Sequence, residues 1–110
     1  MINTNPLPIW KKKRGAVSPS SSFDYTLSLS KFTALRFVFS VYNKTEERFF
    51  SCNYSVFKTQ DGIVDTLTDK KNKSKLDLEV IGTESATDFI LSIVNNESFS
   101  LDVDYALLTL

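Results

Sequence analysis

The chain has 110 residues, 42% of them hydrophobic and 13% aromatic, with few Pro and Gly; this is the composition of one folded domain and excludes a disordered or collagen-like chain. Histidine is absent and there is one cysteine, which removes the commonest general base, the commonest zinc ligand, every Ser/His or Cys/His nucleophilic pair and any intramolecular disulfide. Thirteen basic and thirteen acidic residues cancel overall, but the cancellation hides an asymmetry that bears on partners.

Residues 1–22 hold Lys11, Lys12, Lys13 and Arg14 and no acid, leaving 9 basic and 13 acidic residues for the rest. Pro6, Pro8, Pro19, Gly15 and the serines at 18 and 20–22 follow no helix or strand period, so residues 1–22 are expected to form an extended basic arm. Ile9 and Trp10 are an apolar pair on this polar segment, suited to docking in a groove of another subunit; a terminus with no fixed partner is the alternative. The basic run could also neutralise phosphates, act as a nuclear-import signal or simply solubilise the tail. The start lacks the charged-then-apolar order of a signal peptide, and no apolar stretch approaches membrane-spanning length.

Residues 23–110 are expected to form a single β-domain. Phe23, Tyr25, Leu27 and Leu29 alternate with polar residues, the period of a half-buried strand, and a helical turn is possible at 30–33. Leu35, Phe37, Phe39 and Val41 continue the pattern, while Val38 and Tyr42 load the opposite face, which places this strand centrally or at an interface. Phe50, Cys52, Tyr54 and Val56 define a hairpin partner, ended by Asp61 and Gly62. A shorter strand over 63–67 precedes a mobile polar loop over 69–74, and three more strands are expected around Leu76 to Val80, Phe89 to Ile93 and Phe99 to Tyr105. The sum is an all-β, antiparallel two-sheet β-sandwich of about seven strands, jelly-roll or immunoglobulin-like, behind an N-terminal arm.

Little of this resembles chemistry. Cys52 lies between Phe50 and Tyr54 on the apolar face, where a thiol behaves as a small hydrophobe, although a nucleophile is the competing reading. Asp77, Glu79, Asp102 and Asp104 could gather calcium if their strands were neighbours, but solvent-facing acids alternate in the same way. Asn-x-Ser/Thr triplets begin at Asn43, Asn53, Asn72 and Asn96 and would matter only in a secretory pathway. No catalytic residue, cofactor or metal is expected. The surplus of apolar residues on both strand faces, at 35–42, 89–91 and 106–110, points instead to coverage by other subunits.

The strand succession through residues 38–56, 76–80 and 89–105 resembles small β-sandwich domains of fibre, tail and head-decoration proteins of tailed bacteriophages. There, a strand like 35–43 leads into an aromatic strand like 50–57, a Gly-bearing turn, a short Leu/Asp strand, and a strand ending at Asn-Asn before the last. Such domains often carry Trp in the final strand, where this chain has Tyr105. The resemblance implies a non-enzymatic virion protein, assembled in the host cytoplasm, commonly trimeric, and attached to capsid or tail by its N-terminal segment. Its partners would be other virion proteins and copies of itself, with neither membrane nor nucleic acid expected. The binding residues would be Ile9, Trp10, Lys11, Lys12, Lys13, Arg14, Val38 and Tyr42. A receptor- or carbohydrate-binding module using exposed aromatics such as Tyr42 and Tyr54 is the alternative.

Overall fold

The computed structural model describes residues 11–73 and 75–109. They form eight strands: β1 (Lys11–Val17), β2 (Ser22–Ser28), β3 (Ala34–Asn43), β4 (Arg48–Thr59), β5 (Gly62–Lys73), β6 (Leu78–Glu84), β7 (Asp88–Asn95) and β8 (Leu101–Thr109), with a 3-10 turn at Leu29–Lys31. A five-stranded sheet ordered β1-β8-β3-β4-β5 packs on a three-stranded sheet ordered β2-β7-β6, and every pairing is antiparallel. The expected two-sheet sandwich is therefore present. First pairs with last and second with next-to-last, a winding of the jelly-roll kind in which the β4–β5 hairpin stays in the wider sheet.

Two-residue alternation decides which side chains enter the core. Leu35, Phe37, Phe39 and Val41 of β3, Phe50, Cys52, Tyr54 and Val56 of β4, and Leu101 and Val103 of β8 are buried against Phe89, Leu91 and Ile93 of β7. Tyr25 meets Phe37 edge-on at 5.2 Å between ring centroids, and Phe23 lies 5.4 Å from Tyr105, separations at which aromatic rings attract through their quadrupoles. As expected, β3 is central, flanked by β8 and β4.

Three expectations are corrected. The basic run is not part of a free arm: Lys11–Val17 is the edge strand β1, in register with β8 from Lys11↔Leu107 to Val17↔Leu101. Its ladder bonds come from the backbone, which needs no apolar alternation at a sheet edge, while Val17 is 2% exposed and belongs to the core. Gly15 is required because a Cβ there would overlap the Phe23 ring of β2. A turn with Pro19 followed by Ser20 at φ 57° then reverses the chain, the Pro-then-left-handed order of a type II turn.

The polar segment after Leu67 is also strand, not loop. One extra residue is accommodated in β5 opposite the Ser51–Asn53 step, with Asp69 at φ 53°, and this bulge carries the strand on to Lys73. Finally, Tyr54 is not an exposed aromatic; it is 5% exposed and donates its hydroxyl proton to Asp65.

Candidate interaction surface

The three-stranded sheet covers one face of the five-stranded sheet; among the described residues no element covers the other face. Since Leu35, Phe37, Phe39 and Val41 point inward, the even positions of β3 point outward, and the register sets them in rows across the sheet. Asp104, Ser40, Ser51 and Lys71 form one row, and Asp102, Tyr42 and Phe49 the next. Ala34, Phe57 and Val64 form a third at the far end.

This face carries most of the large hydrophobic side chains that the described residues leave exposed. Among the described residues, six large hydrophobics are prominently exposed, and four of them, Val38, Phe49, Phe57 and Val64, lie on it. Phe57 and Val64 are register partners at one end of the face, Phe49 lies eight residues along β4 toward the other end, and Val38 falls between; what they share is the face, whereas single apolar side chains scattered over a surface are ordinary on any protein. A small recess of about 170 Å³ opens between Ala34, Arg36, Phe57 and Leu108. The face of the three-stranded sheet is milder, with Ile81 its one prominently exposed large hydrophobic.

A polar cluster ties the β1 edge to the same face. Arg14 Nε donates to Asp104 Oδ1 at 2.8 Å, and Tyr42 Oη donates to Asp104 Oδ2 at 3.1 Å. The bond from Arg14 holds the Asp104 carboxyl below its ordinary range, and partial burial, reinforced by the bond to Asp104, raises the Tyr42 hydroxyl. Lys44 Nζ sits 6.0 Å above the Tyr42 ring, a cation–π distance. A constellation of this kind fixes the Tyr42 ring and leaves charge at the surface.

Of the residues expected to bind partners, Val38 and Tyr42 share this face, and Arg14 reaches it through Asp104. Lys13 is exposed at the β1 edge, and Lys11 and Lys12 occupy register positions opposite Leu107 and Ala106. Ile9 and Trp10 lie outside the described residues. Phe49, Phe57 and Val64 were missed, although a signal existed: with Phe50 and Val56 pointing inward, Phe49 and Phe57 must point outward.

The other constellations resolve into structure. Cys52 is 2% exposed, and burial pushes its thiol up to about 12, as a core residue requires. Asp102 and Asp104 belong to β8 in one sheet and Glu79 to β6 in the other, so these acids cannot converge. Three of the triplet asparagines spend their amides on local bonds: Asn43 Nδ2 to Ser100 O at 2.8 Å, Asn53 Nδ2 to Asp69 Oδ2 at 2.8 Å and Asn72 Nδ2 to Leu76 O at 3.0 Å. Those nitrogens are the atoms a glycan would need. No described helix is long and apolar enough to cross a membrane.

No protein-family model matches the sequence, and no curated protein matches it. Among solved structures, the chain is similar to part of the tailspike protein of Acinetobacter phage vB_ApiP_P1, with a TM-score of 0.48 and 8% identity over 99% of this chain. It spans 23% of that protein's length.

Proposed function

We propose that the chain is a non-enzymatic structural protein of a tailed-phage virion, which packs against copies of itself and other virion proteins through the open face of its five-stranded sheet. The observation that carries the packing role is that Val38, Phe49, Phe57 and Val64, four of the six prominently exposed large hydrophobics among the described residues, share that one face, since apolar surface concentrated on one side of a small domain is what partners cover. The virion setting is supported by the succession of strands, which resembles phage sandwich domains. In this reading β1 belongs to the folded body, so the tether shortens to residues 1–10, with Ile9 and Trp10 as its apolar anchor and the cations of β1 flanking the attachment point.

The test is composition. Particles purified from a host that produces this chain, dissociated and analysed by quantitative mass spectrometry, should contain it in many copies per particle. Finding the chain in the lysate but not in washed particles would overturn the proposal.

A further inference from the structure

We propose that two copies of this chain pack face to face through the open side of the five-stranded sheet, about a two-fold axis that runs along the strands between β3 and β4. Tyr42 of each copy then stacks on Phe49 of the other, and Asp104 of each meets Lys71 of the other. This deepens the packing role proposed above and rests on the same exposed face.

The edges of the sheet direct association to the face. At β1 the lysine run, and at β5 the bulge at Asp69 together with inward-pointing Asp65, are the devices by which proteins stop edge strands from pairing with other chains. The exposed Lys70 and Lys71 of β5 further block strand addition there. Growth by sheet continuation is thus disfavoured on both sides, which leaves the face with its exposed Val38, Phe49, Phe57 and Val64 as the surface for association.

Register selects the axis. A two-fold along the strands lays β3 over β4 and β8 over β5 of the second copy while keeping each row opposite itself. The row of Asp104, Ser40, Ser51 and Lys71 then matches carboxylate to ammonium at its ends and serine to serine in its middle. The row of Tyr42 and Phe49 matches ring to ring, and the row of Ala34 and Phe57 matches small to large. No like charges meet in these rows, and in the two rows between them Arg36 faces Ser55, whose hydroxyl can accept from the guanidinium, and Val38 faces Asn53. The other in-plane two-fold, across the strands and through the central Val38 row, would set Leu108 over Asp104 and bury a carboxylate against an apolar chain, an unfavourable exchange.

The footprint suffices. Four strands about 4.8 Å apart and about 33 Å long offer a flat area of roughly 600 Å² per copy before side-chain relief is counted, against about 800 Å² per partner in a standard stable interface. Aligned sheets with inner side chains interdigitating are an established packing mode.

Charge reversal tests the pairing on the full chain, with circular dichroism confirming that each variant folds. Sedimentation at micromolar concentration should find the unaltered protein dimeric, and Asp104→Lys and Lys71→Asp each alone at least about tenfold weaker in self-association, because each places like charges together twice. An equimolar mixture of the two variants should recover the dimer, since every contact between them is again attractive. Phe49→Lys should be monomeric at the same concentration. A monomeric unaltered protein, a trimer, single variants that stay dimeric, or a mixture that stays monomeric would each overturn the two-fold pairing. The particle analysis above is independent: a chain present in particles but monomeric in solution sinks the dimer alone, and a dimer absent from particles sinks the virion role alone.

Discussion

Asn95 Nδ2 donates to the carbonyl of Val17 at 3.2 Å, and this one bond joins the end of β7 to the end of β1 across the two sheets. The same amide reaches Ser18 O at 3.2 Å and Phe99 O at 2.8 Å, while Asn95 Oδ1 accepts from Glu97 N at 2.8 Å. The residue is fully buried, so its removal leaves several backbone groups without partners. Asn95→Ala should cost about 3 kcal/mol in denaturant unfolding, the scale of orphaned buried polar groups, and Asn95→Asp should cost more by aiming a carboxylate at three carbonyls. A loss within experimental error would contradict this role.

Gly82 of β6 faces the Tyr54–Asp65 bond so closely that a Cβ would fall on the tyrosine hydroxyl and stand 2.9 Å from Asp65 Oδ2 and 3.0 Å from Phe89 Cζ. Gly82→Ala should therefore destabilise by about 2 kcal/mol through overpacking. Combined with Tyr54→Phe, which takes away the obstructing oxygen, the loss should be smaller than the sum of the two single losses. Strict additivity in the double-mutant cycle would show that the hydroxyl is not what excludes a side chain at 82.

Asp104 has a pH signature. Its carboxyl is held below the ordinary 3.8 by the bond from Arg14, so its contribution is fully present above that value and fades as pH falls through the lowered one. Asp104→Asn should accordingly cost a small amount at neutral pH, small because both ends of the pair are solvent-exposed, and nothing once the native carboxyl is protonated. A stability difference that persists unchanged in strong acid would contradict the assignment.

Cys52 should behave as part of the core. With its thiol buried and pushed up from 9.0 to about 12, it should resist alkylation at pH 8 in the native protein and react at once in denaturant. Its raised value also means that stability falls as pH rises from 9.0 toward 12, because only the unfolded chain releases the proton there. Rapid labelling of the native protein would refute the burial.

The period of two carried most of the fold. It is unambiguous where one face is buried, which is why β3, β4, β7 and the inward residues of β8 were legible. It fails at sheet edges: among the described side chains of β1 only Val17 is fully buried, and β5 crosses a bulge that changes which side chains face inward, so neither reads as alternation. The surface was half legible for a related reason. Val38 and Tyr42 stood out as apolar exceptions on the polar face of β3, whereas Phe49 and Phe57 flank an already apolar strand and pass for more core. Asp104 was legible only as one of several acids, since its bonds to Arg14 and Tyr42 span 90 and 62 residues.

In the assembled protein, neighbouring protein should cover the outer face of the five-stranded sheet. Hydroxyl-radical footprinting by mass spectrometry, comparing the chain at high dilution with the chain in its assembled form, reads this directly through Phe49 and Phe57, which are 40% and 50% exposed on that face. Both should be oxidised in dilute protein and strongly protected on assembly. Equal oxidation of Phe49 and Phe57 in the two states would contradict that coverage.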